Sequence, residues 1–181
     1  MPGRDAGDVF TIDLARCTGC FTCVIACKDR AGVPDDLDWL WVERAEGGRF
    51  PAVQLTFRPM HCFHCTEAPC FGVCPVDAIG RVGQWVQIDP GLCTGCGACV
   101  ASCPFGTISI DPGGRATKCD GCADEVASGI GPTCVRACPM RALYYGPASE
   151  LSRPRVIDPG WDDRGIGPRV RYLVRPPDGE E

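Results

Sequence analysis

Sixteen cysteines dominate the chemistry that this chain of 181 residues can perform. The most regular group is Cys93, Cys96, Cys99 and Cys103, in which two gaps of two residues precede a gap of three, and a proline follows. With this spacing, one tight loop supplies three thiolates to a cubane iron–sulfur cluster, while the fourth cysteine ligates a second cluster. The group therefore predicts that the chain binds more than one cluster.

The remaining cysteines form three further groups. One repeats the same spacing, one has a longer gap before its third cysteine, and one has eleven residues between its second and third members. They are Cys17, Cys20, Cys23 and Cys27; Cys62, Cys65, Cys70 and Cys74; and Cys119, Cys122, Cys134 and Cys138. Because a cubane needs four thiolates, sixteen cysteines with none left over predict four [4Fe-4S] clusters.

Two other uses of cysteine fit the spacing less well. A disulfide scaffold has a comparable cysteine density, but cysteines three residues apart on one tight loop cannot pair with each other. Structural zinc prefers two C-x2-C units separated by a longer stretch, a pattern that only the group starting at Cys119 resembles. Proline follows Cys74, Cys103 and Cys138, where it should end a short helix, whereas Lys28 follows Cys27.

The net charge and the composition limit the classes of partner that the chain can have. The formal net charge is −5, and bound clusters add negative charge, so no nucleic-acid partner is expected. No apolar run approaches the length of a membrane span, and residues 1–7 lack the apolar region of an export signal. Because the 45% hydrophobic content includes the cysteines, the clusters must replace part of the core, and we expect the apo chain to be unfolded or molten.

The elements that position the cysteines are short. Alternating apolar residues and turn signals predict a helix at 21–30, ending at Gly32, and strands at 8–13, 50–57, 79–82, 85–88, 107–110, 141–145 and 169–174. Residues 55–79 resemble residues 86–110, each with a strand, a cysteine loop, a short helix and a strand, which indicates an internal duplication.

The first and last cysteine groups form a second pair that is split in the sequence. We therefore expect an α+β, loop-rich fold of two ferredoxin-like 2[4Fe-4S] subdomains, the middle one inserted into the outer one. The outer pair comprises residues 8–49 plus 111–146, the inserted pair residues 50–110, and an extended C-terminal arm residues 147–181.

Two segments lie outside this pattern. Residues 35–48 are expected to form a loop capped by packed aromatics, with Trp39 and Trp41 exposed at a partner contact as the alternative. The arm is expected to lie on a neighbour or on the body, and to be dispensable for cluster binding. His61 and His64 are interpreted as bystanders or as hydrogen-bond donors to cluster sulfur. No nucleophile–base pair is present, so we expect no catalytic residue.

The motifs resemble the four-cluster electron-transfer subunit of molybdopterin oxidoreductases, in the dimethyl sulfoxide reductase, polysulfide/thiosulfate reductase and formate dehydrogenase branch. The similarity covers residues 8–146 and is carried by four motifs: Ile12-Asp13-x-x-Arg16-Cys17-Thr-Gly-Cys20-x-x-Cys23-x-x-x-Cys27-Lys28; Cys62-x-x-Cys65 with Ala68-Pro69-Cys70; Thr117-Lys118-Cys119-Asp120-Gly121-Cys122; and Cys138-Pro139-x-Arg141-Ala142-Leu143.

The resemblance implies how the cysteines are shared. The implied ligand sets are Cys17, Cys20, Cys23 and Cys138; Cys27, Cys119, Cys122 and Cys134; Cys62, Cys65, Cys70 and Cys103; and Cys74, Cys93, Cys96 and Cys99. Some relatives hold a three-iron cluster with tryptophan at the position of Cys96, so the cysteine here implies a fourth [4Fe-4S] cluster.

The resemblance also implies the partners. The clusters would relay electrons between a molybdopterin catalytic subunit, holding molybdenum or tungsten, and an integral membrane subunit that exchanges electrons with quinone. The protein would then be membrane-associated through its partners, with the side of the membrane left open. The alternative is a free-standing polyferredoxin that serves a soluble hydrogenase or formate dehydrogenase.

Overall fold

The computed structural model describes residues 7–147 and 156–176 as short helices and strands joined by loops. The helices are α1 (Thr22–Ala31), α2 (Pro69–Gly72), α3 (Ala98–Ser102), α4 (Ala123–Ala127) and α5 (Thr133–Ala137). The strands are β1 (Val9–Asp13), β2 (Leu40–Arg49), β3 (Ala52–His61), β4 (Ile79–Val82), β5 (Trp85–Ile88), β6 (Ser109–Ile110), β7 (Ala116–Thr117), β8 (Leu143–Gly146), β9 (Val156–Ile157) and β10 (Val170–Val174). The expected α+β, loop-rich fold is confirmed.

A four-stranded sheet joins the two ends of the chain in the order β8-β1-β10-β9. Strand β1 is antiparallel to β8, with Ile12 opposite Leu143, and parallel to β10, with Phe10 opposite Val170. These four side chains are buried in one core cluster. The strands predicted at 8–13, 141–145 and 169–174 are confirmed within two residues at each end.

Part of the expected arm belongs to the central sheet. Val170–Val174 lies between β1 and β9 in the sheet, and the side chains of Val170, Tyr172 and Leu173 are 0–3% exposed. The tail thus lies on the body of its own chain where it is described, and supplies part of the core. Residues 148–155 and 177–181 of the expected arm lie outside the described residues.

Residues 40–49 are a strand, so the prediction of a loop over 35–48 is wrong for most of that segment. Strand β2 pairs antiparallel with β3 along its whole length, from Leu40 opposite His61 to Arg49 opposite Ala52. The predicted strand at 50–57 exists but continues to His61. The aromatic packing was correctly predicted, because Trp41 packs against the core and the Trp39 indole donates a hydrogen bond to Thr117 Oγ1 at 2.7 Å.

Two smaller hairpins support the cysteine loops. Strands β4 and β5 have the predicted bounds and turn at Gly83, whose φ is +59°. Strand β6 is shorter than the predicted 107–110 and pairs with β7 across the turn at 111–114.

Helix length follows the residue after the last cysteine of each group. Proline follows Cys74, Cys103 and Cys138, and the helices that lead to these cysteines contain four or five residues. Lys28 follows Cys27, and α1 continues for ten residues to a C-cap at Gly32, with φ +59°. Proline lacks the N–H that a continuing helix needs, so its absence lets α1 run on.

The part of the chain that the structure describes contains no helix long and apolar enough to cross a membrane. The division into an outer and an inserted subdomain stays a prediction. The β2–β3 hairpin spans its boundary at residues 49 and 50.

Candidate iron–sulfur sites

The first candidate site is a cavity of about 300 Å³ between the loop that follows β1 and the loop that follows α5. Cys17, Cys20 and Cys23 line it from one side, and Cys138 lines it from the other. Four thiols around such a space form the donor set of a [4Fe-4S] cluster.

Two further cavities have the same construction. One, of about 330 Å³, is lined by Cys62, Cys65, Cys70 and Cys103. The other, of about 320 Å³, is lined by Cys74, Cys93, Cys96 and Cys99. In both cavities, three cysteines from one loop meet a fourth cysteine from the other loop.

The remaining cysteines, Cys27, Cys119, Cys122 and Cys134, also lie together. Helix α1 carries Cys27 and packs against α5, which carries Cys134. Burial raises the pKa of the Cys134 thiol, and the neighbouring Cys122 and Cys27 raise it further. Burial followed by Cys27 raises the pKa of Cys119 in the same way. These four thiols are therefore close enough for their charges to interact.

Backbone amides or a hydroxyl point at cysteine sulfurs in all four groups of thiols. The N–H of Ala78 donates to Cys74 Sγ at 3.2 Å, and the N–H of Ala142 donates to Cys138 Sγ at 3.3 Å. Equivalent bonds of 3.4 Å run from Ala116 to Cys93 and from Gly121 to Cys119. In the cavity lined by Cys62, Cys65, Cys70 and Cys103, the Thr107 hydroxyl lies 3.4 Å from Cys103 Sγ. Such donors favour the thiolate that a cluster requires and adjust the potential of a cluster.

The four groups lie in one spatial order. Cys23 of the first cavity raises the pKa of Cys134, after burial and the cysteines of its own group. Cys62 raises the pKa of Cys119, after burial and Cys27. Cys99 raises the pKa of Cys70, as the last of several causes that begin with burial. Such charge effects fall off with distance. The spatial set with Cys17 and Cys138 therefore neighbours the set with Cys27 and Cys119. That set neighbours the one with Cys62 and Cys103, and the set with Cys74 and Cys93 comes last.

Comparison with known proteins identifies the kind of domain that carries these cysteines. A family model described as a 4Fe-4S dicluster domain matches residues 53–148, and a second model with the same description matches residues 16–78. The chain belongs to the 4Fe-4S dicluster family. Together, the matches and the sixteen cysteines confirm the prediction of four [4Fe-4S] clusters.

Three relatives of this dicluster protein illustrate its place in the family. The B subunit of the anaerobic dimethyl sulfoxide reductase of Escherichia coli (strain K12) is 35% identical over 92% of this chain and 96% of its own length. The Haemophilus influenzae protein of the same name is 35% identical over 78% of this chain and 75% of its own length. Protein NrfC of Escherichia coli (strain K12) is 39% identical over 78% of this chain and 67% of its own length. The dicluster protein is an iron–sulfur electron-transfer protein of the same kind.

The thiols of the dicluster protein differ in how readily they ionise. Burial raises the pKa of Cys27 and Cys65 to about 12, and that of Cys23 and Cys70 to about 11. The hydrogen bond with Thr22 lowers the pKa of the exposed Cys20. Most buried thiols are thus protonated at neutral pH until a cationic iron centre takes the place of the proton.

Neither histidine is hydrogen-bonded to a cysteine sulfur within the described residues, and their interpretation as bystanders or as hydrogen-bond donors to cluster sulfur stays a prediction. His61 Nδ1–H donates to the Cys62 carbonyl at 2.8 Å, and His64 Nδ1 accepts from the N–H of Val86 at 3.1 Å. The Nε2 atoms of both rings are buried without a hydrogen-bond partner. Burial lowers the pKa of His61 to about 4 and that of His64 well below its ordinary value, so both rings are neutral at physiological pH.

Two basic residues beside the cysteines had no role suggested by the sequence alone. Arg30 lies one helical turn after Cys27 and pairs with Asp120 at 2.6 Å, and Lys118 is buried directly before Cys119. The signal that could have identified them in the sequence is their position, three residues after Cys27 and directly before Cys119.

Proposed function

We propose that each group of four neighbouring cysteines ligates one [4Fe-4S] cluster. The ligand sets are Cys17, Cys20, Cys23 and Cys138; Cys27, Cys119, Cys122 and Cys134; Cys62, Cys65, Cys70 and Cys103; and Cys74, Cys93, Cys96 and Cys99. The observation that carries this proposal is the lining of three cavities by three of these sets. The buried neighbours of Cys134 support the remaining set.

The crossed ligation of the outer pair can be tested with serine variants. Cys27→Ser and Cys119→Ser should perturb the same electron paramagnetic resonance signal, because the two cysteines serve one cluster. Cys17→Ser should perturb a different signal, which it shares with Cys138→Ser. The assignment fails if Cys27→Ser and Cys17→Ser change one common signal and leave the signal affected by Cys119→Ser intact.

We further propose that the protein relays electrons between a molybdopterin catalytic subunit and an integral membrane subunit that reacts with quinone. A bound [4Fe-4S] cluster supplies one-electron redox chemistry. The protein's own residues fix the order of the four sites and bury most of the thiols, which excludes water along the row. Cys20 and Cys96, at the two ends of this row, are exposed, whereas the other fourteen cysteines are buried or half-buried.

Apolar side chains surround both exposed ends. Phe21 and Met140 line the cavity that contains Cys20 and are 49% and 40% exposed, and Val76 lines the cavity that contains Cys96 and is 37% exposed. Exposed apolar residues around an electron-transfer site suit a protein partner that must approach closely. Following the family resemblance, we assign the Cys20 end to the catalytic subunit and the Cys96 end to the membrane subunit. Membrane association of this protein then results from the partner.

The experiment is co-purification with a matched pair of surface variants. The backbone N–H of Ile25 on α1 bonds to the Phe21 carbonyl, so Ile25 lies one turn beyond Phe21, and it is 64% exposed. Ile25→Asp should reduce recovery of the catalytic subunit without loss of iron. Val82→Asp is the control, because Val82 is 62% exposed and, in contrast to Ile25, has no residue within two positions that lines an end cavity. Recovery of a stable monomer with full iron content from native cells, with no large subunit, would instead indicate a free-standing polyferredoxin.

A further inference from the structure

Lys118 is a buried cation in the middle of the row of sites. The residue is 5% exposed. Its ammonium group donates hydrogen bonds to the Val86 carbonyl and, at 3.0 Å, to the Cys119 carbonyl. An ammonium group has three N–H hydrogens, so these two carbonyls leave one hydrogen for another acceptor.

No carboxylate in the described residues lies within ion-pair distance of Lys118. Arg30, the cation one helical turn after Cys27, does have carboxylate partners. It pairs with Asp120 at 2.6 Å, with Asp124 and, at 3.8 Å, with Glu125. A buried charge is costly unless an opposite charge compensates it. The anionic partner of Lys118 must therefore be a group other than a carboxylate.

The groups around Lys118 are cysteines of two different sites. Cys119 is adjacent in the chain and belongs to the set with Cys27. Val86, whose carbonyl accepts a hydrogen bond from Lys118, lines the cavity that also contains Cys62, Cys65, Cys70 and Cys103. His64 adds no charge here, because burial, then Lys118 and His61, lower the pKa of His64 well below its ordinary value.

We propose that Lys118 is a positioning residue for electron transfer, whose positive charge raises the reduction potentials of the two inner clusters, those of the Cys119 and Cys62 sets. This inference rests on the proposed ligation of those two sets. Reduction adds one negative charge to a cluster, so a nearby fixed positive charge favours the reduced form. The outer two clusters, which end at the exposed Cys20 and Cys96, should feel this charge less because they lie further away.

The test is a potentiometric titration of the assembled protein followed by electron paramagnetic resonance. Lys118→Gln and Lys118→Met remove the charge, and Lys118→Arg keeps it. The control is Lys28→Met, since Lys28 is the only other lysine in the chain and its ammonium group pairs with Asp38 at 3.2 Å. We expect the midpoint potentials of two clusters to fall in the Gln and Met variants, and to stay near the wild-type values in the Arg and Lys28→Met variants.

The outcomes separate this inference from the proposed ligation. Loss of the inner clusters in both uncharged variants, with retention in Lys118→Arg, also supports a requirement for positive charge. The inference is overturned if the Gln and Met variants keep all four potentials, or if the Arg variant shifts or loses the inner clusters as they do. Serine variants that assign the signals to other cysteine sets would contradict the proposed ligation instead.

Discussion

Replacing Tyr172 by alanine is expected to destabilise the protein and release its clusters, although the residue is far in sequence from any cysteine. Tyr172 is fully buried on β10. Its ring contacts Trp161 and Phe63, with centroid separations of 4.7 Å and 6.3 Å. Its hydroxyl donates to the Pro59 carbonyl at 2.7 Å, which ties the tail to β3, and Phe63 lies between Cys62 and Cys65.

The magnitude follows from the burial of the ring. Truncating a fully buried aromatic side chain to alanine costs about 4 kcal/mol, which corresponds to a roughly 10³-fold increase in the unfolded population. Tyr172→Phe keeps the ring and removes the hydroxyl, which bonds to the Pro59 carbonyl and also lies 3.0 Å from Met60 Sδ. It should cost about 1 kcal/mol, a roughly fivefold effect.

The assay is the rate at which visible cluster absorption disappears in urea under anaerobic conditions. A rate is the appropriate quantity, because proteins with bound metals do not unfold reversibly in one step. The rate should rise in the order wild type, Tyr172→Phe, Tyr172→Ala. Phe50→Ala is the control, because it removes an aromatic ring that is 87% exposed. Rates for Tyr172→Ala within about threefold of that control would show that the tail is not part of the cluster fold.

Two further predictions concern the cysteine loops. Gly121→Ala should lower iron content by about one cluster, since the new Cβ would overlap the Trp85 ring. Gly129 has a similar φ of +75° but no neighbour within 4 Å, so Gly129→Ala should keep full iron. Equal losses in the two variants would exclude the overlap as the cause. Iron loading of the apo chain should increase from about pH 6.5 to pH 8.5, because free cysteine thiols are protonated below a pKa of about 8.5 and cluster binding releases their protons. Measured iron and proton release at several pH values test this, and better loading at acidic pH would contradict it.

The sequence predicted the elements whose signals are local. The β4–β5 hairpin has alternating apolar residues and a turn at Gly83, and its observed bounds agree with the prediction. Strand β2 lacked such a signal, because residues 43–49 are charged, small or glycine. It is a strand because β3 offers it a hydrogen-bonded partner along its whole length, and strand formation depends strongly on such context.

Long-range pairing explains the other differences between prediction and structure. The strand at 169–174 was predicted, but its partner β1 lies at the opposite end of the chain, and no local pattern indicates a parallel pairing over that separation. The same limit applies to the cysteines. Spacing identifies the three thiols of one loop, whereas the fourth comes from a distant loop, and only the family resemblance suggested which one.

The outer pair of cysteine groups illustrates how one departure from the pattern helps to build the fold. Lys28 stands where the other groups have proline, so α1 continues past Cys27 and carries Arg30 on its last turn. Arg30 then reaches Asp120, which lies between Cys119 and Cys122, at 2.6 Å. Proline at position 28 would end the helix before Arg30. The longer helix thus links two loops that are about ninety residues apart in sequence.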